Sequence, residues 1–171
     1  MAKETSRYVG CLLGLAVGDA LGYAVDSKSW EEIVRDYGPE GLRGYDLVNG
    51  YADVTSYTQM AAYGAGGLLL GLTRGQLRGR MAPFVRYIGL GLQEWSMGQH
   101  TYRPIQRTHS WAAQVPQLRR RRCMDTRMLD RLDRGETGTM EEPKNDSDHP
   151  GSLTTAIPVG LFFDERRLAP H

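Results

Sequence analysis

The stretch GCLLGLAVGDALGYAVD, residues 10–26, carries the strongest periodic signal in the chain. Apolar side chains recur there at three- and four-residue spacing, which is the pattern of one face of an α-helix. This pattern predicts a buried amphipathic helix. Its apolar face comprises Val9, Leu12, Leu13, Ala16, Val17, Ala20, Leu21 and Ala24.

A second stripe of the same segment consists of glycine, at positions 10, 14, 18 and 22. Each glycine costs a helix about 0.8–1 kcal/mol relative to alanine, so we expect another backbone or a ligand to approach closely here. Asp19, between Gly18 and Gly22, is then a candidate ligand-binding residue. On spacing alone, we favour the alternative that Asp19 caps or pairs within a helical bundle. Asp26 would share the face of Asp19 if the helix extended that far.

The rest of the chain also reads as helices joined by loops. Ser29 and Glu32 form a capping box before a short helix that ends at Tyr37, and residues 38–53 form a glycine-rich loop. Thr55 or Ser56 can cap a helix that extends to Leu72, and the glycines of this helix, at positions 64, 66, 67 and 71, predict tight packing. Further helices are predicted over 76–98, 124–132 and 152–163, with a flexible polar connector at 133–152. Because no strand alternation stands out, we predict an all-α fold in a single domain, residues 1–171.

Composition narrows the function classes. The formal net charge of +1 gives no global attraction to nucleic acid or to an anionic membrane. Apolar runs are too short to span a bilayer, so we expect a cytoplasmic protein. Two basic stretches, residues 73–86 and the RRRR at 119–122, are candidates for contact with phosphate groups.

Cysteine and histidine residues give no metal or disulfide pattern. Cys11 and Cys123 lie far apart without a CxxC motif, so we expect reduced thiols. The four histidines lack paired metal-ligand spacing, and we expect them to be solvated at the surface. They are His100, His109, His149 and His171. The loop NDSDHPG, residues 145–151, could coordinate a cation, although such loops are usually only polar.

Four segments in series resemble the ADP-ribosylglycohydrolase family. They are residues 10–26, YGPEGLRGY at 37–45, VTSYTQM at 54–60 and GSLTTAIPVGLFF at 151–163. The resemblance implies an all-α domain that removes ADP-ribose from arginine or related acceptors, with a pair of magnesium ions in a central cleft. It implies ADP-ribose or an ADP-ribosylated protein as the partner.

The resemblance is incomplete at the first metal motif of the family, which reads threonine, two aspartates, threonine. Thr55 and Thr58 match this motif, but Ser56 and Tyr57 stand at the aspartate positions. Mg²⁺ prefers oxygen ligands that include carboxylates, so we expect no resident cofactor unless the family Mg²⁺ site survives. Thr55 and Asp53 are then vestigial metal-ligand candidates, and Ser56 and Tyr57 are candidates for ligand contact.

The resemblance also assigns an acid position, where this chain has Asp26 instead of the usual glutamate and Ala24 instead of the usual proline. Asp26 is therefore the candidate catalytic residue. Near the C-terminal segment, Thr154 and Thr155 replace methionine and arginine of the family. The second aspartate-rich metal motif of the family has no counterpart after residue 163, so we expect a truncated domain that corresponds to the N-terminal half.

Three functions remain open from the sequence. The first is an active ADP-ribosylglycohydrolase, and the second is a catalytically impaired relative that binds ADP-ribose or an ADP-ribosylated protein. The third is a non-catalytic helical scaffold that forms a homodimer through an apolar face left uncovered by the missing half. We expect catalytic impairment and homo-oligomerisation.

Overall fold

The computed structural model describes residues 2–47, 50–100, 108–122, 126–136, 138–139, 141–144 and 151–163. Within these ranges it contains six α-helices and no β-strand, which confirms the all-α prediction. None of the described helices is long and apolar enough to cross a membrane. The helices are α1 (Ala2–Gly22), α2 (Trp30–Tyr37), α3 (Ser56–Leu77), α4 (Phe84–Gln99), α5 (Thr126–Asp133) and α6 (Gly151–Phe162), with 3-10 turns at Trp111–Gln114 and Pro116–Arg119.

Contacts divide the chain into two compact units, Met1–Thr58 and Gln59–His171. The single domain over residues 1–171 and the flexible connector at 133–152 both stay predictions. Several residues that the sequence singled out lie outside the described ranges: Cys123, His171 and residues 145–150 with His149. Of the two cysteines, Cys11 is described, and it is a free, exposed thiol.

In the first unit, α1 is less buried than its periodicity predicts. Ala20 is buried, but Val9, Leu13 and Val17 are 50%, 59% and 51% exposed. The prediction of a buried face is therefore wrong for these three side chains. They follow one another at four-residue spacing, so they form a continuous exposed ridge on the helix.

The glycine stripe of α1 also differs from expectation. A Cβ atom added at Gly10, Gly14, Gly18 or Gly22 would meet no other group within 4 Å. The close backbone approach that we expected is therefore absent along the described part of the stripe. Helix α1 ends at Gly22, so Asp26 lies in the following turn, not on a helix face shared with Asp19.

The predicted capping box of α2 is confirmed. The Ser29 hydroxyl accepts a hydrogen bond from the Glu32 backbone N–H at 3.3 Å, and the Glu32 carboxylate accepts one from the Ser29 N–H at 2.8 Å. Lys28 pairs with Asp36 at 2.7 Å across the helix. Gly38, at φ +90°, ends α2 in a conformation that favours glycine.

In the second unit, glycines bring α3 and α4 into close contact. A Cβ atom at Gly67 would overlap the carbonyl oxygen of Tyr87, and one at Gly91 would overlap the carbonyl oxygen of Tyr63. The tight packing that we predicted for the glycines of α3 is therefore confirmed at Gly67. The core of this unit consists of Met60, Tyr63, Trp95, Ala112, Ala113 and Leu129.

The boundary between α3 and α4 differs from the prediction. Helix α3 continues to Leu77, five residues beyond the predicted Leu72, and α4 begins at Phe84 instead of residue 76. A turn occupies the residues between them, with Gly79 at φ +61°. Pro83 is well suited to the position before α4. The N–H groups at a helix start have no intrahelical partner, so the missing N–H of proline costs nothing there, and its fixed φ matches a helix start.

A buried polar network fixes the 3-10 segment against α3 and α4. The Gln59 side chain accepts hydrogen bonds from Trp95 Nε1 at 3.0 Å and Gln99 Nε2 at 3.3 Å, and it donates to the Arg120 carbonyl at 2.9 Å. The Gln99 amide oxygen accepts from the Arg122 N–H at 2.7 Å. The backbone of the RRRR segment is thus held by buried glutamines.

One histidine contradicts the prediction of a solvated surface. His100 is only 13% exposed in its side chain, and its Nε2 lies 2.8 Å from Asp133 Oδ2. The other carboxylate oxygen of Asp133 accepts a hydrogen bond from the Ser96 hydroxyl at 2.8 Å. His100 therefore joins α4 to the end of α5 instead of facing solvent, whereas His109 is exposed as expected.

Candidate functional site

The clearest polar cluster of the first unit is centred on the Asp19 carboxylate. Its Oδ2 accepts hydrogen bonds from the Thr55 N–H at 2.9 Å, the Thr58 N–H at 3.2 Å and the Thr58 hydroxyl at 2.6 Å. Its Oδ1 accepts one from the Thr55 hydroxyl at 2.6 Å. One carboxylate of α1 thus receives four hydrogen bonds from the start of α3.

This arrangement explains why α3 begins where it does. Thr55 precedes the helix, and its hydroxyl accepts a hydrogen bond from the Tyr57 N–H at 3.2 Å. Asp19 then satisfies two further N–H groups that a helix start leaves without intrahelical partners. Its negative charge also lies at the positive end of the helix dipole. Asp19 is therefore a cap for α3, as the alternative interpretation of the sequence proposed.

Tyr57 lies in the electrostatic field of the same cluster. Partial burial raises the pKa of Tyr57 above its ordinary value, and the negative charges of Asp26 and Asp19 raise it further. The phenol therefore stays protonated and neutral. Asp26 itself is exposed in the turn after α1. We call Asp19, Asp26, Thr55, Tyr57 and Thr58 the Asp19 corner.

The remaining candidates lie near this corner with different environments. Ser56 is the first residue of α3. Asp53 is half-buried, and its carboxylate accepts a hydrogen bond from the neighbouring Val54 N–H at 3.0 Å. Gly18 and Gly22 flank Asp19 on α1 and leave open space where a side chain would project. Their assignments as metal or ligand contacts stay predictions, as does the catalytic assignment of Asp26.

The donor set at the start of α3 does not fit Mg²⁺. The ion prefers octahedral oxygen coordination that includes carboxylates. At the motif positions, Ser56 offers a neutral hydroxyl and Tyr57 a phenol whose raised pKa keeps it neutral. Both oxygens of Asp19 already accept hydrogen bonds from the two threonines. Among the described residues, no group of three or more acidic, histidine or cysteine side chains is placed to hold a metal ion.

Comparison with known protein families assigns the chain to a family. The family model of the ADP-ribosylglycohydrolases matches residues 1–170. The chain belongs to the ADP-ribosylglycohydrolase family. Searches of curated proteins and of solved structures find no significant match. The resemblance inferred from the four sequence segments is thereby confirmed, and ADP-ribosylglycohydrolase membership implies substrates related to ADP-ribose.

The sequence predicted that Thr55 could cap α3, which the hydrogen bond from the Tyr57 N–H confirms, but it did not predict that Thr55 and Thr58 both donate hydrogen bonds to Asp19. Thr55 and Thr58 stand three residues apart, which is the spacing of a helix cap and the third helical residue. That spacing was the available signal for a capping role. It could not reveal the partner, because Asp19 lies 36 residues before Thr55 in the chain.

Proposed function

We propose that this member of the ADP-ribosylglycohydrolase family binds ADP-ribose, free or attached to a protein, at the Asp19 corner without hydrolysing it. The observation that carries the proposal is the state of the motif helix. The motif helix has a capped N-terminus, with Thr55 and Thr58 bound to Asp19, yet Ser56 and Tyr57 provide no carboxylate for a metal ion. The scaffold of the motif is present while the groups that would recruit Mg²⁺ are replaced.

The chemistry of the corner supports binding. Asp26 is an exposed carboxylate, which can accept hydrogen bonds from ribose hydroxyls. The neutral Tyr57 hydroxyl can both donate and accept hydrogen bonds, and its ring offers a stacking surface. The open positions beside Gly18 and Gly22 leave room for a ligand to approach α1.

Isothermal titration with ADP-ribose tests the proposal. We expect saturable binding to the wild type that is equal in excess EDTA and in excess Mg²⁺, with no release of ADP-ribose from ADP-ribosylated arginine substrates. Asp26→Asn should weaken the binding, whereas Glu40→Gln, an exposed acid that pairs with Arg43, should not. Mg²⁺-dependent turnover by the wild type would refute the impairment. Absence of ADP-ribose binding would refute the binding function.

A second candidate function is a helical scaffold that forms a homodimer, and the surface of α1 favours it. The ridge of Val9, Leu13 and Val17 is at least half exposed, and the adjacent glycine stripe leaves open space at each Cβ position. One helix thus carries both a ridge and a groove. Two copies related by a two-fold axis could pack the ridge of each into the groove of the other.

Size-exclusion chromatography with light scattering separates the two candidates. A homodimer through α1 predicts twice the chain mass for the wild type and a monomer for Leu13→Glu. Leu77→Glu, which places the same charge at another exposed apolar site, should leave the mass unchanged. A monomeric wild type that still binds ADP-ribose would exclude the homodimer and leave ADP-ribose binding as the remaining candidate function.

A further inference from the structure

The second unit contains a cleft whose residues take no part in the Asp19 corner. It has a volume of about 460 Å³ and lies between the end of α3, the turn that follows and the start of α4. Arg74, Arg78, Arg80 and Arg86 line it, together with Tyr87 and Leu90. We call it the arginine cleft. None of the residues that line it is acidic.

The four arginines differ from Arg35 and Arg43 because no carboxylate among the described residues neutralises them. Arg35 lies 3.0 Å from Asp36 and Arg43 lies 2.8 Å from Glu40, each as an ion pair. No described residue forms a comparable pair with the guanidinium groups of the arginine cleft. The whole chain carries a net charge of only +1, so this concentration of positive charge is local.

The local fold brings these side chains together. The Arg80 N–H donates to the Gly75 carbonyl at 3.1 Å, which folds the turn back onto the end of α3. A Cβ atom at Gly75 would lie 3.0 Å from the Arg80 carbonyl oxygen and 3.2 Å from the Ala82 nitrogen, so the glycine permits this close approach. On the α3 side, the Arg74 guanidinium lies over the ring of Tyr87, with its central carbon 5.9 Å from the ring centroid.

The position of Arg86 adds to the electrostatic argument. It lies in the first turn of α4, where the helix dipole is positive and disfavours a cation. Arg74 lies in the last turn of α3, where a cation is favourable, so helix electrostatics explain Arg74 but not Arg86. An anion in the cleft would offset the mutual repulsion of the four guanidinium groups and the unfavourable position of Arg86.

We propose that the arginine cleft binds a small soluble anion that carries a diphosphate group. Guanidinium groups bind phosphate oxygens through paired hydrogen bonds, and four of them around one cavity match an anion with several charges. The volume lies within the range of small-molecule sites. Leu90 and Met81 supply an apolar wall for the rest of such a molecule.

Titration with sodium pyrophosphate at constant ionic strength tests the proposal. The wild type should bind with one saturable site, and Arg78→Gln/Arg86→Gln should bind about tenfold or more weakly. Both substituted side chains are exposed, and circular dichroism would verify that the double variant is folded. Arg35→Gln/Arg43→Gln removes the same net charge from elsewhere in the chain and should bind as the wild type does.

Each other outcome overturns the proposal in a different way. Equal weakening in both double variants would show that long-range charge, not the cleft, attracts the anion. No pyrophosphate binding, combined with sedimentation on phosphatidylcholine vesicles that contain phosphatidic acid, would assign the arginines to a lipid surface. No binding to either probe would leave the cleft without an anion. ADP-ribose binding that depends on Asp26 is unaffected by any of these results, so the two sites fail independently.

Discussion

At the scale of single residues, the Asp19 carboxylate is the group on which the start of α3 depends. Asp19→Asn replaces one carboxylate oxygen by an amide NH₂ group, which donates hydrogen bonds and cannot accept those of the threonines. We expect the free energy of unfolding to fall by about 1–2 kcal/mol, as for loss of a helix cap. Urea unfolding followed by circular dichroism would measure the change.

Asp26→Asn is the matched control for that substitution. It makes the same chemical change at an exposed carboxylate in the turn after α1, and it should change the free energy of unfolding by no more than about 0.5 kcal/mol. If both variants lost equal stability, the destabilisation would come from lost negative charge in general. The capping role of Asp19 would then be wrong.

Tyr63 gives a prediction for the pH dependence of stability. Burial, followed by the nearby charge of Glu94, raises the pKa of Tyr63 from its ordinary 10.0 to about 12. Between pH 10 and pH 12 the unfolded chain loses this proton while the folded chain keeps it. Stability should therefore be fully present below pH 10 and fall by about 1.4 kcal/mol per pH unit as the pH rises through this interval.

Tyr63→Phe should remove this contribution to the loss of stability at alkaline pH. The ring is fully buried, and its hydroxyl has no hydrogen-bond partner among the described residues. Deleting the hydroxyl should therefore leave stability at pH 7 unchanged or slightly higher. Tyr51→Phe, at a side chain that is 68% exposed, is the control and should keep the wild-type pH profile. An unchanged profile in Tyr63→Phe would contradict the assignment.

At the scale of secondary-structure elements, glycine has opposite consequences in α1 and α3. Gly67→Ala would drive a methyl group into the backbone of Tyr87, and we expect the free energy of unfolding to fall by about 1–3 kcal/mol. Gly14→Ala meets open space and should stabilise α1 by about 0.8–1 kcal/mol through helix propensity. Urea unfolding of both variants tests the pair. A destabilising Gly14→Ala would show that another surface, such as a second copy, packs on the stripe.

These glycines also show how far sequence patterns reach. Residue spacing predicted that α1 and α3 are helices and that α2 has a capping box, because periodicity and capping depend on residues close together in the chain. The glycines of both helices predicted close packing, yet only those of α3 have close neighbours, and at Gly67 the neighbour is the backbone of Tyr87. Whether a small residue faces a neighbour depends on tertiary contacts, which periodicity within one helix does not encode.

At the scale of the whole molecule, family membership and site chemistry were predictable to different degrees. The family model extends from residue 1 to residue 170, and four separated segments were enough to indicate it. The hydrogen bonds that Asp19 accepts from Thr55, just before α3, and from Thr58 join residues 36 and 39 positions apart, which no single motif shows. The arginine cleft likewise depends on the turn at Gly75 that folds Arg80 back onto α3.

The proposed impairment rests in part on Ser56 and Tyr57, and restoring the two aspartates of the motif tests that part of the proposal. Ser56→Asp/Tyr57→Asp places carboxylates at the two aspartate positions of the motif, in the first turn of α3, where the helix dipole favours negative charge. We expect Mg²⁺ to strengthen binding of ADP-ribose to this variant by about tenfold or more, since the ion gains carboxylate ligands. Ser56→Asn/Tyr57→Asn has side chains of the same shape without charge and should stay indifferent to Mg²⁺ in the same titration. If Mg²⁺ strengthened ADP-ribose binding equally in the wild type, other residues would form the metal site. The proposal that Ser56 and Tyr57 impair the protein would then be wrong.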